Sequence, residues 1–128
     1  MSDLITPNTQ KTIMVADDNE GILDVMRVIL EENGYKTSTT NNGEDLLHLD
    51  EPLPDLLFLD LMLSGTNGSE LCTILKSNKK TQNLPILILS ANHNIAEIAE
   101  TCGADGYLGK PFNIKQMLDL VELHTAPR

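Results

Sequence analysis

The sequence predicts an α/β fold, a doubly wound parallel sheet with helices on both faces. Apolar runs of strand length recur at Ile13-Met14-Val15-Ala16, Leu56-Leu57-Phe58-Leu59 and Ile86-Leu87-Ile88-Leu89, nearly unbroken by polar residues, as strands covered on both faces must be. Between the runs lie segments whose apolar residues return at helical spacing, and such alternation calls for right-handed crossovers and parallel strands. Charged groups also close three runs: Asp17 and Asp18 follow the first, Asp60 the second, and Lys110 follows Tyr107-Leu108-Gly109. Open parallel sheets place their ligand sites at the carboxyl ends of strands, so these residues are expected in one crevice.

Residues 1–10 are polar, contain Pro7 and show no periodicity, which predicts a flexible leader before the first strand. In 20–33, Ile22, Leu23, Met26, Ile29 and Leu30 recur at helical spacing, and Gly34 follows as a left-handed cap. The stretch 35–40 is rich in β-branched and aromatic residues but mostly polar, as an edge strand can be, and Asn41-Asn42-Gly43 turns it into a short helix over 44–49. Pro52 and Pro54 precede the strand 55–60, and Gly65 and Gly68 mark a loop leading to a helix over 69–76. A fourth strand ends at Ser90, a short helix over 95–101 precedes Gly103, and a small strand holds Tyr107 and Leu108. Asn113 caps the last helix with Gln116 in a box-like position, and Ile114, Met117, Leu118 and Val121 form its buried stripe to about residue 123. Residues 124–128 are too few for an output domain.

A chain of 128 residues, 41% hydrophobic, buries one core and leaves little room for a second domain. A net charge of −10 and a pI near 4.5 argue against nucleic acid or an anionic membrane surface as direct partners, since both require clustered Lys and Arg. Neither an amino-terminal signal peptide nor a membrane-length apolar run is present, so the chain is expected in the cytoplasm with Cys72 and Cys102 reduced, as small buried hydrophobes without CxxC spacing. His48, His93 and His124 lack ligand spacing and receive no role.

Asp17, Asp18 and Asp60 would repel one another without a cation among them, and oxygen-only ligands suit Mg²⁺. Lys110, with no acidic neighbour in sequence, is then free to act as a point charge for an anion. The anion that joins Mg²⁺ and lysine is a phosphoryl group. Asp17-Asp18 taken alone reads more readily as a helix cap; Asp60 and Lys110 reverse that weighting.

These residues resemble one family, the receiver domain of two-component response regulators, over about 11–123. The resemblance rests on Asp17-Asp18, on Asp60 within Asp55-Leu-Leu-Phe-Leu-Asp-Leu-Met-Leu, on Ser90-Ala91, on Gly103-Ala-Asp-Gly-Tyr107 and on Lys110-Pro111-Phe112, all in register. It implies a CheY-like, flavodoxin-like strand order 2-1-3-4-5. It also implies a phosphorelay switch in which Asp60 takes a phosphoryl group from a sensor histidine kinase or a histidine phosphotransfer protein. The family's Mg²⁺ would be held by Asp18, Asp60 and the backbone carbonyl of Met62, with Asp17 acting largely through water. Lys110 would supply the ammonium and Ser90 the switch hydroxyl, with Tyr107 turning inward as Ser90 moves and the surface of about 94–121 changing. The resemblance further implies a cis Lys110–Pro111 bond, a downstream protein target, and a monomer or phosphorylation-linked dimer. Such a protein is no enzyme of its own but a phosphoacceptor that promotes its own phosphorylation and dephosphorylation.

Ser64 stands where the family often has proline and Asn67 where aspartate is commoner, so the loop after Asp60 is expected to be looser or differently capped. The spacing from Ser90 to Lys110 is shorter than in the commonest members, and the fourth helix is expected to absorb the difference. Met62 and Asn92, two positions beyond Asp60 and Ser90, are expected to tune dephosphorylation. A stand-alone response regulator is the leading expectation. The alternatives are a pseudo-receiver that only binds protein, the receiver segment of a hybrid kinase, a haloacid-dehalogenase-like phosphatase, which would need its nucleophile after the first strand, and a flavin module, whose phosphate the anionic crevice would repel.

Overall fold

The computed structural model describes residues 10–126; the expected leader, except for Gln10, and the last two residues of the expected tail lie outside that range. Five strands form one parallel sheet: β1 (Thr12–Ala16), β2 (Lys36–Thr40), β3 (Leu56–Asp60), β6 (Ile86–Ser90) and β7 (Gly106–Gly109). Their order is β2-β1-β3-β6-β7, the expected 2-1-3-4-5 once the main strands alone are counted. Two short strands, β4 (Met62–Leu63) and β5 (Thr66–Asn67), intervene as an antiparallel hairpin in place of the expected loop. Strands of two residues carry no period to detect.

The helices are α1 (Glu20–Glu32), α2 (Gly43–Leu47), α3 (Gly68–Ser77), α4 (Ile95–Cys102) and α5 (Ile114–Thr125). Along each central strand, alternate side chains enter opposite layers. Ile13, Val15, Leu56, Phe58, Leu87 and Leu89 pack with Leu23, Met26 and Leu30 of α1 and Met117 and Val121 of α5. Met14, Ala16, Leu57, Leu59, Ile86 and Ile88 pack with Leu46 of α2, Leu71 and Leu75 of α3, and Ile95 and Ala99 of α4. Burial on both sides is why β3 and β6 are apolar at every position until they reach Asp60 and Ser90.

Local capping sets the helix ends. Asn19 caps α1 by accepting from the Ile22 N–H at 3.1 Å, so the cap falls one residue beyond the aspartate pair. Asn113 and Gln116 complete the expected capping box of α5, and Gly34 and Gly103 take left-handed φ values of 91° and 81°. The short α4 has eight residues and no side-chain cap. Its Ile95 and Ala99 are buried, so it is held by packing rather than by its ends. No helix among the described residues is long and apolar enough to cross a membrane.

Candidate functional site

The carboxyl ends of β1, β3 and β7 bring Asp17, Asp60 and Lys110 into one crevice, as the sequence predicts, and β6 ends beside them. Asp17 continues from β1, its N–H donating to the Thr40 carbonyl at 3.0 Å, and its side chain is 1% exposed. Asp60 closes β3 at 6% exposure and Ser90 closes β6 at 8%. Lys110 follows β7, its N–H donating to the Ser90 carbonyl at 2.8 Å, and the Lys110–Pro111 bond is cis.

The side chains then divide differently from the sequence expectation. Lys110 does not stand free: its Nζ donates to Asp17 Oδ2 at 2.9 Å and lies 3.0 Å from Asp60 Oδ1. The countercharge that the acids require comes from within the chain, from a residue 93 positions away from Asp17. The remaining oxygens are also engaged. Asp17 Oδ1 accepts from the Asn19 N–H at 2.8 Å, Asp60 Oδ2 accepts from the Met62 N–H at 3.0 Å, and Ser90 Oγ accepts from the Asn92 N–H at 2.9 Å. Asp18 is exposed and accepts from the Ser64 hydroxyl at 3.1 Å, so Ser64, noted in sequence only as a departure, anchors the outer acid. Tyr107 stands 44% exposed, and the Met62 side chain is 71% exposed.

The electrostatics are unbalanced. Burial raises the Asp60 carboxyl above the ordinary aspartate value; the Lys110 hydrogen bond opposes this and the charge of Asp17 adds to it. Burial works against the Lys110 ammonium, but hydrogen bonds to Asp17 and Asp60 and their charges outweigh it and raise its pKa. Two carboxylates, Asp17 and Asp60, share one ammonium, and the exposed Asp18 adds a further negative charge next in the chain, so the crevice stays anionic.

In this arrangement no three Asp, Glu, His or Cys side chains among the described residues converge as a metal cluster. Asp17 and Asp60 turn an oxygen each to Lys110, and Asp18 turns one to Ser64. The donor chemistry nevertheless fits a hard cation: oxygen ligands only, an excess of negative charge, and a carboxylate, Asp60, that burial holds above its usual pKa.

The loop after Asp60 is tightly placed. Gly65 turns the hairpin at φ 68°, and the Gly68 N–H donates to the Leu61 carbonyl at 2.9 Å. A Cβ on Gly68 would lie 2.2 Å from the Asp60 carbonyl oxygen, so only glycine lets α3 begin against the strand end. Asn67 caps α3 through the Ser69 N–H at 2.8 Å and the Glu70 N–H at 3.4 Å. An asparagine at 67 thus keeps a full cap, and the loop forms a hairpin rather than loosening.

Known proteins share this build. Residues 13–122 match the family described as the response regulator receiver domain. The phosphate regulon transcriptional regulatory protein PhoB of Rhizobium meliloti (strain 1021) is 37% identical over 113 residues, which is 86% of this chain and 50% of that protein. Histidine kinase P4 of Formosa agariphila is 30% identical over 119 residues, 91% of this chain and 9% of the kinase. The crystal structure of the receiver domain of NtrX from Brucella abortus superposes with a TM-score of 0.80 at 29% identity, covering 91% of this chain and 99% of that one. The chain spans about half the length of the first curated regulators it matches. The matched stretch is thus common to a transcriptional regulator and a kinase, as a portable domain would be. The chain belongs to the response regulator receiver domain family of two-component signal transduction.

Proposed function

We propose that this chain is a phosphorylation-dependent signalling switch in which Asp60 accepts a phosphoryl group from the phosphohistidine of a sensor kinase or phosphotransfer protein in the cytoplasm. The observation that carries the reading is the placement of Asp60, a nearly buried strand-end carboxylate with a lysine ammonium 3.0 Å away. A carboxylate oxygen attacks phosphorus while the ammonium meets charge on the phosphoryl oxygens, and catalysis rests on position and electrostatics.

Asp18, Asp60 and the Met62 carbonyl would hold Mg²⁺, with Asp17 acting through water. When bound, the ion offsets the excess of carboxylate charge and draws negative charge off the transferring group. Lys110 orients the phosphoryl oxygens and keeps Asp17 paired. Ser90, whose Oγ accepts from Asn92 N–H, turns its hydroxyl toward a phosphoryl oxygen, and Tyr107 turns inward to signal through the surface of about 94–121. Met62 and Asn92, two positions beyond Asp60 and Ser90, tune water attack on the acyl phosphate, the chain's self-dephosphorylation. The receiver unit runs over 11–123, and its target is a downstream protein.

The test is intact mass after incubation with acetyl phosphate, with and without Mg²⁺, beside Asp60→Asn. The expected result is one phosphoryl adduct that requires Mg²⁺ and is absent in the variant. An adduct retained by Asp60→Asn, or none at all while beryllofluoride also fails to bind, overturns the assignment.

A further inference from the structure

The two cysteines, 30 residues apart in sequence, meet where α3 packs on α4. Cys72 Sγ donates to the Cys102 carbonyl at 3.4 Å, and Cys102 Sγ donates to the Ala99 carbonyl at 3.6 Å. Both thiols are free. Cys72 has no solvent exposure, while Cys102 is 6% exposed and helps line a groove of about 310 Å³ between the helices. Glu70 and Glu97 stand on the groove walls with Thr73 and Thr101. The opening admits a small reagent, and the two carboxylates disfavour an anionic one.

We propose that Cys102 and Cys72 form an oxidation site for a small neutral hydroperoxide, with Cys102 as the thiol oxidised first and Cys72 as the partner that closes a disulfide between α3 and α4. Cys102 sulfur attacks one peroxide oxygen, the O–O bond breaks, and the thiol proton leaves with the other oxygen as water or alcohol. Cys72 sulfur then attacks the sulfenic sulfur, the S–O bond breaks, and the Cys72 proton leaves with the hydroxyl as water. The sulfurs together lose two electrons and the hydroperoxide gains them. Access sets the order. Cys102 lines the groove and is 6% exposed, while Cys72 has no solvent exposure, so the hydroperoxide meets Cys102 first.

The test treats the full chain with hydrogen peroxide, removes excess with catalase, and reads intact mass and a non-reducing peptide map. The expected result is loss of two hydrogens and one linked peptide pair holding Cys72 and Cys102, both reversed by dithiothreitol. Cys72→Ser is expected to accumulate at Cys102 a sulfenic acid trapped by dimedone. A wild-type map without the linked pair, or with Cys102 carried straight to sulfinic acid, overturns the proposal. So does a wild-type product linked only between chains. The wild-type map decides the matter without reliance on the fold of a variant, and none of these readouts depends on phosphorylation at Asp60.

Discussion

The two rims of the sheet each hold a lysine against aspartate, and they use it differently. At the amino-end rim, Lys76 Nζ meets Asp105 Oδ2 at 2.7 Å and donates to the Leu84 carbonyl at 2.8 Å and the Gln82 carbonyl at 3.3 Å. Asp105 Oδ2 also accepts from the Ile86 N–H at 2.8 Å. One ammonium faces one carboxylate, and two backbone carbonyls take the other ammonium donors. Such a set ties α3, β6 and the approach to β7 together and leaves nothing for chemistry. At the carboxyl-end rim, Lys110 divides itself between Asp17 and Asp60 with Asp18 beside them, and the cluster keeps uncompensated charge. The balanced pair fastens the fold, and the unbalanced one leaves charge for a ligand to meet.

The largest expected effect comes from removing the cation at the unbalanced rim. Lys110→Ala should slow phosphoryl uptake from acetyl phosphate by about a hundredfold, measured by intact mass over time, while the rise in melting temperature on adding Mg²⁺ persists. A variant that loses both alike would show that Lys110 builds the site rather than acting in it. Gly68→Ala should follow, since the added methyl meets backbone that cannot yield. Urea unfolding should report a loss of about 3 kcal/mol, with phosphoryl uptake falling alongside.

At the balanced rim, Lys76→Ala should cost about 1 to 2 kcal/mol, because Asp105 and two carbonyls lose their donor and the pair is partly solvated. Phosphoryl uptake by the folded protein should be unchanged; a change there would mean the rims are coupled. The smallest effect should have the opposite sign. Asp60→Asn makes the carboxyl-end rim resemble the other and should stabilise the metal-free chain by about 1 kcal/mol in urea unfolding. Burial raises the Asp60 carboxyl, so the folded wild-type chain holds that proton more tightly than the unfolded chain. Its stability therefore falls as pH rises through the folded carboxyl's range, and the variant should lack that component of the slope.

The contrast between rims also shows what a sequence discloses. Asp60 and Ser90 were legible because each ends an apolar run, and a run that is buried on both faces announces where it stops. The sheet order followed from the resemblance, and the alternating layers followed from the runs. Lys110 is legible as a charge at a strand end but not as the partner of Asp17 and Asp60, because those contacts join residues far apart in the chain and leave no local trace. The Lys76–Asp105 pair leaves no local trace either, although an aspartate directly before a strand is a usable hint. The β4–β5 hairpin was invisible at two residues per strand, and α1 was capped by Asn19 because a third polar residue follows the aspartate pair.

The sheet's outer strands have a consequence beyond the site. An edge strand offers unpaired backbone N–H and C=O groups to any passing chain. Here one border, β2, is Lys-Thr-Ser-Thr-Thr, largely solvated and without a large apolar side chain, and the other, β7, is four residues long with glycine at each end. Neither is a good template for intermolecular strand addition. The most aggregation-prone segments, the apolar β3 and β6, occupy interior lanes where both of their borders are already taken.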